Sequence, residues 1–368
     1  MHTLQIEIQI VAVIAAIACS LLGVFLVLRK TAMVADAVSH SILPGLVIGF
    51  LLTENLNHPL LIIMAAMSGL LAVWSVNKLS ASGRLRVDAA IGLVFPFLFA
   101  IGIILIHVFA DDIHLDTDAV LSGELVYVPF DRLVVGGMDL GPQAAWKGLS
   151  ILLCIVIFIV GAFHWLKIST FDPLLTQTLG IPSGLLQQTL MVLTAFIVVT
   201  AFDIVGAVLV VGFIIIPAST AFLLTYSLKR MLIYSVCIAI VSVLLGYFIA
   251  HLLDVSIAGS IVTVMGVLFG LAYLFSHEEG LLRNAYRLKK LRGLHYQTTL
   301  LIHLLSHDER EERHVAHLHE HINWSEKLAQ QVVKKNLEEG FLRMDENVLH
   351  ITIKGREFVL ERLKQTFE

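Results

Sequence analysis

Residues 31–53 read TAMVADAVSHSILPGLVIGFLLT, an apolar run interrupted by Asp36 and His40 and then broken by Pro44–Gly45. Its length suits a hydrocarbon core, which an α-helix of about 20 residues crosses. On such a helix, residues four apart share a face, so Asp36 and His40 project together. An ionised aspartate at the centre of a span costs about 2.5–3.5 kcal/mol on insertion scales, and no cationic side chain in this run offsets it. Two readings of the pair follow. In one, a divalent cation sits between carboxylate and imidazole, a mixed ligand set that suits zinc, manganese or iron. In the other, Asp36 caps the helix, His40 bonds a neighbouring carbonyl, and Ser39 and Ser41 pack against other helices. The Pro44–Gly45 break frees backbone groups that must face protein or a water-filled path rather than lipid, which favours a permeation path. One chain supplies two ligands, so a working site needs water or a second copy that brings another Asp and His to the same axis.

The rest of the chain repeats the apolar theme. Of its 368 residues 57% are hydrophobic and 15% charged, against about a quarter charged in soluble domains. Windows of about 19 residues give spans near 8–28, 37–53, 58–78, 89–109, 148–167, 186–203, 205–226, 231–251 and 256–275. The expected fold is therefore an all-α polytopic membrane protein of about nine spans, with eight to ten compatible with the pattern. Nine requires that Asp203 and Gly206 turn the apolar run from Leu185 to Tyr226 back on itself. The first run ends in Arg29–Lys30, has no basic segment before it and is followed by further spans, unlike a cleaved signal peptide. Cys19, Cys154 and Cys237 lie in apolar stretches without CxxC spacing, as buried thiols do.

Cationic residues set the orientation, because cytoplasmic loops are enriched in Lys and Arg. Arg29 and Lys30, then Lys78, Arg84 and Arg86, then Lys167, then Lys229 and Arg230, then the Arg283–Arg292 cluster fall on alternate loops. The opposite loops hold Glu54, Asp111, Asp112, Asp116, Asp118, Asp203 and Asp254, with only Arg132 and Lys147 as cations. The N-terminus is expected outside and the C-terminus in the cytoplasm. The outer stretch 111–147, with Gly136, Gly137, Gly141 and Pro142, reads as a structured loop; its His114, Asp116 and Asp118 fit a solvated acidic surface. His58, His107, His164 and His251 sit at span ends and read as interface residues, and Asp88 as the opening of a span.

Beyond the pair itself, Leu28-Arg29-Lys30 and the run Ala35-Asp36-Ala37-Val38-Ser39-His40-Ser41-Ile42-Leu43-Pro44-Gly45 resemble the ABC-3 family of zinc and manganese ABC transporter permeases. The resemblance continues through Asp88–Phe95, Leu121-Ser122-Gly123-Glu124, Phe171-Asp172-Pro173 to Leu179-Gly180, and Val205-Gly206 to Pro217–Ala221. It implies a permease subunit of an importer of manganese, zinc or iron, not itself an enzyme and with no permanently bound cofactor, in a bacterial cytoplasmic membrane. It assigns the transient metal contacts to Asp36 and His40, with the break at Pro44 and Gly45 beside them. Phe171, Asp172, Pro173, Leu179 and Gly180 become the segment that seats on an ATPase. That ATPase is a separate chain, since no GxxxxGK[ST] phosphate loop occurs here. The implied partners are a second permease, identical or homologous, cytoplasmic ATPase subunits and an extracytoplasmic metal-binding protein facing the acidic outer loop, all within membrane lipid.

The sequence divides into a permease domain at 1–275, a basic linker helix at 276–294 and a cytoplasmic domain at 295–368. Residues 276–368 hold 15 of the 25 Lys and Arg and 15 of the 29 acids, so the net charge of −4 comes from the spans and their loops. In the tail, Ser325 is placed to cap a helix through Leu337, Gly340 to end it, and 341–353 to form a hairpin turning at Asp345–Asn347. That order resembles a winged helix, giving a small α+β domain. Its balanced charge lacks the phosphate-contacting excess of a DNA binder, so nucleic acid is not an expected partner. The His303–His321 run, with His314, His317, His319 and His321, reads either as a metal-sensing cluster or as a solvated helix. Two other functions compete with transport: a membrane-tethered metal-responsive regulator working through the tail, and an intramembrane metal-dependent enzyme, which lacks the HExxH motif.

Overall fold

A computed structural model describes residues 2–54, 58–109, 125–135, 138–276, 280–306, 322, 324–345 and 347–367. The outer-loop residues His114, Asp116, Asp118 and 121–124, and the tail histidines His314, His317, His319 and His321, lie outside the described residues. The chain forms two units, Met1–Gly280 and Leu281–Glu368.

Unit 1 is built from α1 (His2–Leu28), α2 (Met33–Ser41), α3 (Leu43–Thr53), α4 (Pro59–Ala81) and α5 (Val87–Phe109), then a 3-10 turn at Val128–Phe130. The hairpin β1 (Arg132–Val135) and β2 (Met138–Pro142) follows, then α6 (Gln143–Phe171), α7 (Pro173–Thr178), α8 (Ser183–Val205), α9 (Ala207–Leu224), α10 (Leu228–Leu253) and α11 (Ile257–Phe275). Among the described residues nine helices are long and apolar enough to cross a membrane, α2 and α3 together making the second of them, Met33–Thr53. Gly206 separates α8 from α9 at φ +82°, a conformation open to glycine at little steric cost.

Three of the expected spans begin four or more residues early, the first of them at Leu4 rather than 8. The second span begins at Met33 rather than 37, which brings Asp36 inside it, in its first turn. The fifth begins at Gln143 rather than 148, because the β2 strand carries the chain directly into the helix.

Small residues let α1 sit at the centre of the bundle. Ala12, Ala15, Ala16, Ala18, Cys19, Leu22 and Phe25 are all buried, and α1 packs against α6, α8, α9 and α10. Gly23 meets the backbone of α9: a Cβ there would stand 1.9 Å from the Ile214 carbonyl oxygen. Cys154 and Cys237, unlike Cys19, are exposed on the surface of the bundle. An apolar surface lined by lipid gives a small side chain no reason to turn inward.

Contacts within the unit sort its two ends. Arg29 donates to Ser169, Thr170 and Gln187, and Lys229 lies 5.9 Å above the Phe163 ring, so these cationic ends are neighbours. At the other end Arg132 pairs with Glu7 at 3.2 Å and with Asp139 at 2.5 Å, tying the hairpin to the start of α1. The Gly141 amide and the Arg132 guanidinium hold the Asp139 carboxyl below its ordinary value. A carboxylate stabilised in this way supports the fold above its unfolded pKa, and the support is lost as pH falls through the lower folded value. Protection of the β1 and β2 amides, taken relative to the intrinsic exchange rate at each pH, should therefore fall as pH drops below the ordinary value of 3.8. Equal protection on both sides of that range would show that the ion pair does not hold the hairpin.

Unit 2 comprises α12 (Leu281–Ser306), α13 (Glu326–Glu338), the antiparallel pair β3 (Leu342–Asp345) and β4 (Val348–Ile351), and α14 (Ile353–Phe367). The division expected at 294/295 falls inside α12, since a change from basic to apolar side chains alters what a helix faces without breaking its backbone. Ser325 occupies the N-cap of α13 and accepts from the Leu328 amide, while Gly340 leaves the helix at φ +74°. Leu300, Leu301, Leu304, Val332, Leu342, Leu349 and Val359 form the core, with Phe341 stacked on Phe358 at 4.6 Å.

Candidate metal centre

The helix bearing the pair starts from a fixed point. At the end of α1 the Thr31 amide bonds the Leu26 carbonyl and the Lys30 amide the Val27 carbonyl, with Lys30 left-handed at φ +58°. These paired bonds form the Schellman arrangement that closes a helix. Met33 then opens α2, and Val34, Ala35, Ala37, Val38, Ser39 and Ser41 bury the face of α2 that packs into the bundle.

Asp36 and His40 occupy the other face. The N-cap is Ala32, with no side-chain cap, so Asp36 does not cap α2; its Oδ1 stands 3.7 Å from His40 Nε2. Zinc–nitrogen and zinc–oxygen bonds are each about 2.1 Å, so one ion placed at those distances from both atoms of this 3.7 Å pair would subtend an angle of roughly 120°. The pair is pre-spaced for shared coordination. Their side chains are 39% and 34% exposed, so the pair is open to a facing surface. Phe95 and Phe99 of α5 lie beside the imidazole, with ring centroids 5.7 and 6.0 Å away, and they restrict its movement on one side. By chain position His40 lies about 10 Å inside the start of the span at 1.5 Å per residue.

The break follows at Ile42. Pro44 stands in the first turn of α3 and has no N–H for the His40 carbonyl. Ser68 of α4 donates to the neighbouring Ser41 carbonyl at 2.6 Å, the kind of side-chain repair that lets a broken helix persist in lipid. Gly45 admits α4 against the break, where a Cβ would stand 2.2 Å from the Met64 carbonyl oxygen. Among the described residues no group of three or more His, Cys, Asp or Glu side chains could hold a metal ion. Asp36 and His40 are two candidate ligands, fewer than such a group requires.

The segment expected to meet an ATPase forms a short helix between two spans. Asp172 caps α7 by accepting from the Leu175 amide at 2.9 Å, Pro173 takes its first turn, and Gly180 reverses the chain at φ +65°. Phe171, Leu174 and Leu179 are 56%, 76% and 58% exposed, an apolar set at the last residue of α6 and just beyond it. Sequence reasoning gave Arg29 only an orienting charge and a place in the family motif, and it assigned no contact to Ser68, Phe95 or Phe99. The spacing of Arg29 from residues 169–187 carries no local signal.

The chain is 42% identical over 285 residues to the manganese transport system membrane protein MntD of Bacillus subtilis, covering 77% of this chain and 95% of that one. It is 38% identical over 364 residues to the zinc transport system membrane protein TroD of Treponema pallidum, covering 98% and 99%. Among solved structures, PsaBC from Streptococcus pneumoniae in complex with Fab aligns with a TM-score of 0.63 at 29% identity, over 76% of this chain and 94% of that one. The TroD match takes in unit 2, whereas MntD is accounted for almost entirely within a stretch the length of unit 1. Residues 1–276 match the ABC 3 transport family, and with nine long apolar helices among its described residues the chain belongs to that family as a multi-pass membrane protein.

Proposed function

We propose that this chain is the membrane subunit of a bacterial ABC importer that passes zinc or manganese between Asp36 and His40 into the cytoplasm. The observation that carries the reading is the 3.7 Å carboxylate–imidazole pair on one face of a membrane helix. Its exposure in one chain suits completion by a second permease, identical or homologous. Two ligands per chain also suit transit, since a conducting site must bind firmly enough to admit the ion and weakly enough to release it. The relatives named for manganese and zinc support those two ions, and iron has no such support. No described residue set favours an intramembrane enzyme or a tethered regulator.

Hydrolysis of ATP belongs to a partner seated on Phe171–Gly180, where the exposed Phe171, Leu174 and Leu179 provide an apolar contact. The cation-rich end, with Arg29 and α7, faces the cytoplasm, and a metal-binding protein delivers cargo at the hairpin end. Reconstitution of the chain with its ATPase and binding protein in proteoliposomes tests this: ATP-dependent accumulation of zinc or manganese is expected, and none would refute it.

Unit 2 fits a winged-helix-like module, with α13 followed by a hairpin and a closing helix, and we assign it a regulatory role. Truncation after Gly280 should leave uptake within about twofold of the full chain while removing any response of rate to internal metal. Loss of uptake on truncation would make the tail part of the transport machinery instead.

A further inference from the structure

Each of the three guanidinium nitrogens of Arg29 donates a hydrogen bond. Nε donates to Thr170 Oγ1 at 3.1 Å, Nη2 to Ser169 Oγ at 2.7 Å and Nη1 to Gln187 Oε1 at 2.5 Å. Ser169 and Thr170 close α6, immediately before the Phe171–Gly180 segment, and Gln187 lies in the first turns of α8, immediately after it. One side chain therefore brackets the whole segment. Burial draws the Arg29 pKa below its usual value, yet arginine stays charged in proteins, and its three acceptors are neutral side chains. On the other side, only Lys30, Thr31 and Ala32 separate Arg29 from α2, and the Schellman bonds fix that connection. Asp36 follows seven residues after Arg29.

We infer that Arg29 is the positioning residue that transmits movement of the Phe171–Gly180 segment to the helix bearing Asp36 and His40. A rigid fork joined to both flanks of the segment moves with it, and the short, bonded connection passes that displacement to the start of α2. A lysine cannot replace the fork, because its single ammonium is a point charge unable to span three acceptors. The inference rests on the segment being the ATPase seat.

Transport and ATP hydrolysis measured in the same proteoliposomes, holding the full chain with its ATPase and binding protein, test it. Arg29→Gln is expected to assemble and to keep its basal hydrolysis within about twofold of wild type. Manganese or zinc uptake should fall at least tenfold, and the rise in hydrolysis caused by metal-loaded binding protein should vanish. Arg29→Lys should recover part of the uptake, and Gln187→Leu should lower uptake per ATP hydrolysed without lowering basal hydrolysis. Wild-type uptake per ATP in both Arg29→Gln and Gln187→Leu would overturn the inference while leaving the transport reading intact. Failure of both Arg29 variants to assemble would also overturn it, by making Arg29 purely structural. Absence of ATP-dependent uptake by the wild-type complex would remove the transport reading and this inference with it.

Discussion

Asp36→Ala and His40→Ala are each expected to lower ATP-dependent metal uptake by on the order of 100-fold. Changes to residues that merely orient a metal's ligands cost about 10–100-fold, and these substitutions remove the ligands themselves. Asp36→Asn should do no better than Asp36→Ala, because the amide supplies an oxygen but no charge to offset the cation. Both side chains are partly exposed and lie on the face of α2 turned away from the buried core, so the variants should reach the membrane at wild-type levels. Uptake is to be compared at equal membrane content. Wild-type uptake by either variant would remove that residue from the path.

Gly23→Ala is expected to produce the largest loss of stability of any single methyl added to the bundle. Its Cβ would fall 1.9 Å from a backbone oxygen of α9, and the Ile214 carbonyl carbon would be only 2.8 Å away, so no side-chain rotation relieves the contact. Overpacking costs about 1–3 kcal/mol where side chains can yield; here helices must separate, and the cost should reach at least the upper end. A fall in Tm on the order of 10 °C in detergent is expected at about 2–4 °C per kcal/mol. Gly161→Ala is the control, since nothing lies within 4 Å of a Cβ there, and it should be neutral or mildly stabilising through helix propensity. Equal thermal stability of the two variants would contradict the packing of α1 against α9.

The apolar spans were legible because the hydrocarbon core imposes length and composition together, and Gly206 could be read as a turn because the alternation of charged loops requires the run from Leu185 to Tyr226 to cross twice. Asp36 and His40 were visible for the opposite reason: they are ionisable groups where none is tolerated without a purpose. Spacing alone left capping open for Asp36, and only the helix start at Met33, with Ala32 at the N-cap, removed it. The Arg29 fork was not legible, since its partners lie 140, 141 and 158 positions away and a polar residue near a helix end resembles any other. The hairpin at Arg132–Pro142 was hidden by its glycines and proline, which signal a loop until Glu7 and Asp139 are seen to hold it.

Coordination of manganese or zinc in the assembled transporter, read by X-ray absorption, decides whether Asp36 and His40 hold the ion. The wild-type complex is expected to show a bound ion with imidazole nitrogen and carboxylate oxygen at about 2.1 Å, and the combined Asp36→Ala and His40→Ala variant is expected to lose both contributions. An unchanged spectrum and unchanged metal content in that variant would place the ion elsewhere and contradict the account.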